Sequence, residues 1–197
     1  HATSPPARFT EASIIKRLEE LGIGRPSTWA NIIQTIQDRG YVWKKGQALV
    51  PTWTAFAVVA LMEKHFDELV DYAFTARLED DLDAIALNQM QKEHRLQQFY
   101  FGTDGDESLP GLKRLVEENL DEIDAAEINT FPIGLDPDGV LIVVKPGKYG
   151  PYVKRGEDTA SVPEDLAPDE LTVAKAVELL ALPKSEEPIG ELDGYPV

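Results

Sequence analysis

The sequence predicts a mainly α-helical domain followed by a small α+β module. Up to about residue 121, apolar side chains recur mostly at the three- and four-residue spacing of helices. The composition changes near 122–131, and the apolar run 139–145 that follows indicates a strand. We therefore expect a helical domain at 1–121, a second module at 122–183, and a linker with the start of a further repeat at 184–197.

Two short helices joined by a glycine-containing turn are expected first. Thr10 is suited to cap the first helix because its hydroxyl can accept a backbone N–H, and Gly22 is a natural helix stop. The second helix is expected to begin near Pro26, a residue favoured at the first helical position, and to end at Gly40. Its buried stripe would consist of Trp29, Ile32, Ile33 and Ile36.

Residues 41–50 have the pattern of a β-hairpin that turns near Lys45 and Gly46. The order helix, short turn, helix and hairpin is that of a winged helix, an elaboration of the helix-turn-helix motif. Further helices, acidic outside and apolar within, are predicted at 53–66, 70–87, 88–101 and 109–121, with a loop at 104–108.

The second module should combine a small antiparallel sheet with one helix. A second extended segment at 149–154 follows the strand, and 171–182 has the spacing of a helix. The segment 133–141 resembles 189–197 at an offset of 56 residues. This similarity indicates an internal repeat, unless two Gly/Asp turns match by coincidence.

Composition excludes several classes of protein. No apolar run is long enough to span a bilayer, and the first residues do not form a signal peptide. The absence of Cys excludes disulfides and cysteine-ligated zinc, and it agrees with a cytoplasmic protein. The start at His1, without an initiating Met, suggests a fragment of a longer protein.

The net charge of −16 argues at first sight against a nucleic-acid partner. The charge is unevenly distributed, because residues 1–50 carry net +3, 51–130 net −12 and 131–197 net −7. Binding depends on the local field, since salt screens distant charges. DNA binding is therefore compatible with the charge, although we expect it to be weaker than for a basic domain.

Arg25, Ser27 and Thr28 stand at the start of the second helix. A helix N-terminus binds anions through its unpaired N–H groups, and hydroxyls and a guanidinium add direct phosphate contacts. The pattern fits a phosphate site, and it also fits hydroxyls that cap the helix beside a solvated arginine. Arg39 would lie at the far end of the same helix, where a cation also interacts favourably with the helix dipole.

A cluster of cations and aromatics within 145–156 is the second candidate site. Tyr149 and Tyr152 could stack on bases while Lys148, Lys154 and Arg155 contact phosphates. Alternatively, the tyrosines pack on the helix and the charges form a solvated hairpin edge.

Other residues give weaker signals. Trp43 and the two lysines after it could touch a nucleic acid, but a core tryptophan and edge-protecting lysines are the favoured interpretation. The acidic run 79–83 lies in a helical pattern in which Asp81 and Asp83 point in different directions, so no metal site is predicted. No arrangement of residues looks like a complete catalytic site.

The stretch from residue 5 to residue 41 is similar, almost residue for residue, to the bacterial type IA DNA topoisomerases. It contains Gly22-Ile-Gly-Arg-Pro-Ser-Thr28 and Thr35-Ile-Gln-Asp-Arg-Gly-Tyr41, and the similarity continues through 71–86. Around 148–156 and 168–172 the chain resembles the carboxy-terminal repeat of the actinobacterial enzymes, which is free of cysteine as this chain is. Trp29 stands where many relatives have Tyr.

The resemblance implies a role. Such enzymes relax negatively supercoiled DNA by cutting one strand with a tyrosine, passing the other strand and resealing, while acids of a separate TOPRIM domain hold magnesium. Neither the nucleophile motif nor the TOPRIM acids match this chain, so it would hold no catalytic residue and no cofactor. Its expected partners are single-stranded DNA, supercoiled duplex DNA of the nucleoid, and the missing TOPRIM and tyrosine domains.

The resemblance also implies roles for the candidate residues. By position, Arg25, Ser27, Thr28 and Arg39 would contact the single strand that leads to the cleavage site. Tyr149 and Tyr152 would help the tail to bind DNA.

Two other functions remain open. A duplex-binding winged-helix regulator would place the second helix in the major groove. A protein-interaction module would use the acidic helices and the repeat to dock a basic partner. A third possibility, a longer enzyme of which this is one piece, changes the expected activity and leaves the candidate site residues as they are.

Overall fold

The computed structural model describes residues 6–103 and 111–182, together with the backbone of two short strands at 191–192 and 195–196. The chain divides into two compact units, His1–Asn129 and Thr130–Val197. The prediction of a mainly helical part followed by a small antiparallel sheet with a helix is confirmed.

The first unit is helical apart from one hairpin. Its helices are α1 (Glu11–Leu21), α2 (Trp29–Asp38), α3 (Trp53–His65), α4 (Asp67–Val70), α5 (Tyr72–Ala86), α6 (Lys92–Phe101), α7 (Leu112–Asn119) and α8 (Ala125–Ile128). The hairpin between α2 and α3 consists of β1 (Val42–Lys45) and β2 (Ala48–Pro51).

Local sequence signals set both ends of α1. The Thr10 hydroxyl accepts the Ser13 N–H, and the Ser13 hydroxyl accepts the Thr10 N–H, which forms a capping box. Gly22 ends the helix in the left-handed conformation with φ 71°. Both predicted ends are therefore confirmed.

Helix α2 begins at Trp29, three residues later than the prediction from Pro26. Pro26 lies instead in a turn that is closed when the N–H groups of Thr28 and Trp29 donate to the Arg25 carbonyl. Ile33 is buried, and the other three residues of the predicted stripe are half-buried.

The hairpin turns at Gly46, as predicted, and its register pairs Trp43 with Val50. Val50 is fully buried, and Trp43 is half-buried. The Leu49 N–H donates to the Phe9 carbonyl, so the chain before α1 adds to the edge of the hairpin. The hairpin thus joins the start of α1 to the region after α2.

The helices after α3 are shorter than the sequence predicts. The helix expected at 70–87 is observed as α5 and begins at Tyr72, because Asp71 caps it with a carboxylate that accepts the Phe74 N–H. The helix expected at 88–101 begins only at Lys92, since Asn88 adopts a positive φ of 57°. The loop predicted at 104–108 lies outside the described residues.

The second unit is built on a four-stranded antiparallel sheet in the order β3 (Phe131–Leu135), β4 (Leu141–Lys145), β5 (Tyr152–Arg155) and β6 (Asp158–Ser161). Helix α9 (Val173–Ala181) packs on β3 and β6. The core side chains Ile142, Val144 and Val153 are fully buried. The backbone pair β7 (Glu191–Leu192) and β8 (Tyr195–Pro196) lies within the segment that resembles 133–141.

The two units divide between Asn129 and Thr130, within the composition change at 122–131 and eight residues after the predicted boundary at 121–122. The intervening α8 belongs to the first unit, where Ile128 is buried and Glu127 accepts a 2.6 Å hydrogen bond from Lys64 of α3. Within the described residues, no helix is both long and apolar enough to cross a membrane.

Candidate nucleic-acid interface

The turn between α1 and α2 is built around Gly24, which is buried and has φ +70°. A Cβ atom at this position would lie 2.9 Å from Cδ1 of Trp29, so the indole ring fills the space that a side chain would need. The Trp29 Nε1–H donates to the Ile23 carbonyl at 2.9 Å. The first residue of α2 thus packs back onto the turn that precedes it.

Arg25 is held within this turn by five hydrogen bonds. Nη1 donates to the carbonyls of Gly22 and Gly24 at 3.3 and 2.9 Å. Nε and Nη2 donate to Oδ2 of Asp83 at 3.1 and 2.7 Å, and Nη2 also reaches Asp80 at 3.4 Å. A guanidinium has five N–H donors, so each donor of Arg25 already has a partner inside the protein.

The acidic partners of the turn come from α5. Besides Asp80 and Asp83, Glu79 accepts the Gly24 N–H at 3.1 Å. The hydrogen bond to Asp83 raises the pKa of Arg25, and the charges of Asp83, Glu79 and Asp80 act in the same direction. The turn is therefore fixed to α5 by contacts that the spacing of these residues did not indicate.

The two hydroxyls beside Arg25 differ in their surroundings. The Thr28 hydroxyl accepts the Arg25 N–H and donates to the Arg25 carbonyl, both at 3.0 Å, so it closes the turn and does not cap α2. Ser27 is exposed, and within 6–103 and 111–182 its hydroxyl has no hydrogen-bond partner. Ser27 is therefore available to a ligand at the start of α2.

Arg39 stands at the other end of α2, as its C-cap residue, and is exposed. Its guanidinium has no ion pair with any residue that the structure describes. Because α2 begins only at Trp29, Arg25 lies outside the helix that Arg39 ends. Lys44 of the hairpin is already paired with Glu11 at 2.7 Å.

The candidate residues of the second unit lie on both faces of the sheet and on a turn. Tyr149 is 93% exposed, and the Lys148 ammonium lies 5.3 Å from the centre of its ring. Strand alternation puts Tyr152 and Lys154 on the face opposite the buried Val153. Tyr152 and Lys154 therefore share the face that α9 does not cover.

Arg155 has the same strand parity as Val153 and is engaged by acids. Its Nη1 lies 3.5 Å from the buried carboxylate of Asp136, and its Nη2 lies 3.2 Å from Asp158. Asp136 also accepts the N–H groups of Asp138 and Val140. In this structure Arg155 therefore ties the β3–β4 turn to the β5–β6 turn.

Lys145 begins the basic run 145–156 and joins the candidate residues through the register of the sheet. It pairs with Tyr152 across β4 and β5, and strand alternation places it on the same open face as Lys154. The pairing of β4 with β5 brings these residues together, and the sequence could predict this pairing only if the exact bounds of both strands were known.

The residues that the structure describes include no group of three or more His, Asp or Glu side chains arranged to hold a metal ion. In the acidic run of α5, Asp83 and Asp80 pair with Arg25, and Asp81 pairs with Arg95 at 2.5 Å. These acids therefore serve as ion-pair partners.

Two family models match the chain. One described as DNA topoisomerase covers residues 1–97, and one described as topoisomerase C-terminal repeat covers residues 136–189. DNA topoisomerase 1 of Streptomyces coelicolor is 54% identical over 210 residues, covering 96% of this chain and 21% of the relative. The chain belongs to the bacterial type IA DNA topoisomerases.

Other topoisomerases give similar matches. DNA topoisomerase 1 of Mycobacterium tuberculosis H37Rv is 52% identical over 206 residues, covering 96% of this chain and 22% of the relative. Full-length topoisomerase I from Thermotoga maritima has a TM-score of 0.61 at 30% identity and matches 84% of this chain and 26% of its own. The chain thus spans 21–22% of the length of these two curated relatives.

Proposed function

We propose that this chain is the DNA-binding portion of a type IA topoisomerase that relaxes negatively supercoiled DNA by transient cleavage of one strand and passage of the other. The observation that carries the proposal is the match to DNA topoisomerase 1 across 96% of the chain, which includes the turn at the start of α2. The parent enzyme acts in the cytoplasm, on the nucleoid.

Chemistry of strand cleavage belongs to other parts of the longer protein. Magnesium, where bound, would neutralise phosphate charge, but the acids of α5 do not fit this role because Arg25 and Arg95 already pair with three of them. The tyrosine and TOPRIM domains are therefore the partners that this portion works with.

The first unit binds single-stranded DNA at α2, in a winged-helix-like arrangement of α1, α2 and the hairpin. Ser27 is exposed beside the N-terminus of α2, and Arg39 is exposed at its C-terminal end. The helix N-terminus attracts one phosphate, and the Arg39 guanidinium attracts another. Arg25 and Thr28 contribute by closing the turn that presents the first of these sites.

The second unit binds DNA with the open face of its sheet and the adjoining turn. Tyr149 and Tyr152 offer aromatic surfaces on which bases can stack, and Lys145, Lys148 and Lys154 surround them with positive charge. Negatively supercoiled duplex DNA exposes unpaired strands more readily than relaxed DNA does, so the two units suit the same substrate.

Fluorescence anisotropy of a labelled single-stranded oligonucleotide at two salt concentrations tests this function, with unlabelled duplex as competitor. We expect binding to weaken as salt rises, and we expect unlabelled single-stranded DNA to displace the labelled oligonucleotide better than unlabelled duplex does. Arg39→Ala should weaken binding and reduce the slope of log K against log salt by about 0.7, the value for one phosphate contact to a single strand.

Other results would favour the other two functions. A preference for duplex would identify a winged-helix regulator. An absence of binding to either form would overturn the proposal and favour the protein-interaction module, whose acidic helices suit a basic partner.

A further inference from the structure

The turn that precedes α2 depends on a neighbouring helix. Three acids of α5 contact the turn. Glu79 accepts the Gly24 N–H, Asp83 accepts two N–H groups of the Arg25 guanidinium, and Asp80 accepts a third at 3.4 Å. These contacts span 55 to 58 residues of sequence. They therefore fix the loop in space in a way that its own sequence does not.

Arg25 has little capacity for a direct phosphate contact in this arrangement. Its five donors are in use, and a phosphate would have to displace a carboxylate or a backbone carbonyl. Three carboxylates face one guanidinium, so the local charge is negative. The carboxylates would repel a phosphate that approached Arg25, whereas the N–H groups at the start of α2 would attract it.

Glu79 and Asp83 hold the turn more firmly than Asp80 does. Asp83 lies 2.7 Å from Nη2 of Arg25, whereas Asp80 lies 3.4 Å away and its side chain is 79% exposed. Glu79 holds the backbone of Gly24, the residue against which Trp29 packs. Glu79 and Asp83 thus hold both sides of the turn, the backbone and the guanidinium.

We propose that Glu79 and Asp83 are positioning residues of the strand-binding site: they hold Gly24 and Arg25, and so fix the place and direction from which α2 presents its N-terminus. This inference rests on the proposed function. It assigns Arg25 an indirect role, since its charge is consumed within the protein. Removing these acids should weaken DNA binding even though it lowers the negative charge of the chain.

The test measures single-strand affinity and its salt slope for Asp83→Asn and Glu79→Gln. Each variant keeps an acceptor oxygen but loses the charge, so it should bind roughly fivefold more weakly, the order of the difference between a charge-assisted and a neutral hydrogen bond. The salt slope should stay unchanged because no phosphate contact is removed. Asp83→Glu, which keeps the carboxylate, should retain most of the affinity. Glu63→Gln is the matched control: it removes one charge from an exposed residue of α3, and it should bind as the wild type does.

Folding of each variant is checked by urea unfolding and by the tryptophan fluorescence of the first unit, to which Trp29 beside the turn contributes together with Trp43 and Trp53. Tighter binding with a steeper salt slope in Asp83→Asn would overturn the inference, because it would mean that Asp83 shields Arg25 from phosphate. Unchanged binding in both variants would overturn it as well. If the wild type itself binds no single strand, the proposed function fails first, and the inference falls with it.

Discussion

Gly24→Ala should destabilise the first unit more than an alanine substitution at a turn glycine that has free space around it. The position has φ +70°, which costs an alanine about 1–2 kcal/mol. The new Cβ would also meet Trp29 at 2.9 Å and Ile32 at 3.2 Å. The Trp29 ring is anchored by its bond to Ile23, so overpacking should add about 1–3 kcal/mol.

Gly40→Ala provides a matched control. Gly40 has a nearly identical φ of +65°, but a Cβ there would meet nothing within 4 Å. The backbone strain and the change in the unfolded chain are therefore shared by the two variants, and their difference isolates the contact with Trp29.

Urea unfolding followed by tryptophan fluorescence suits this comparison, because all three tryptophans (Trp29, Trp43 and Trp53) lie in the first unit. The free energy of unfolding should fall further in Gly24→Ala than in Gly40→Ala by about 1–3 kcal/mol. Equal losses in the two variants would refute the reasoning that the indole ring is packed against the turn.

Four further substitutions test single side chains. Val153→Ala should lower the free energy of unfolding of the second unit by about 2 kcal/mol, since the side chain is fully buried. Lys154→Ala should weaken DNA binding and leave stability unchanged. Chemical denaturation followed by circular dichroism measures the stability of both variants, and anisotropy measures their DNA binding. Asp136→Ala should cost about 3 kcal/mol in the same denaturation measurement, because it leaves two N–H groups and a guanidinium without their shared acceptor. The hydrogen bond from Lys44 lowers the pKa of Glu11 from its ordinary value of 4.5. This pair therefore stabilises the fold above that pH, and its contribution is lost as the pH falls through the folded-state pKa of Glu11. Lys44→Gln should raise the pKa of Glu11 in an NMR titration, and an unchanged pKa would contradict this cause.

Elements with strong local signals could be predicted from the sequence. The capping pair around α1, the hairpin turn at Gly46, and helices α3 and α9 lie where hydroxyls, glycines and apolar spacing place them. Strands β3 and β6 were missed, because β3 contains Pro132 and Gly134, and β6 reads Asp-Thr-Ala-Ser. Such residues favour strands weakly, and pairing with β4 and β5 decides their conformation.

The candidate site was predictable in its residue types and not in its contacts. Sequence placed Arg25 beside Ser27 and Thr28, but it gave no reason to connect Arg25 with Asp83, which is 58 residues away. The same holds for Arg155 and the buried Asp136. Ion pairs between distant segments depend on packing, and packing is what a single sequence leaves undetermined.

The most direct test of the account maps single-stranded DNA onto the chain by NMR, which a 21.8 kDa protein permits. We expect the largest backbone amide shifts at 27–31 near the start of α2, and a second set along β4 and β5 around Lys145 and Tyr152. Shifts confined to helices α6 and α7, or of equal size with duplex DNA, would contradict single-strand binding at α2.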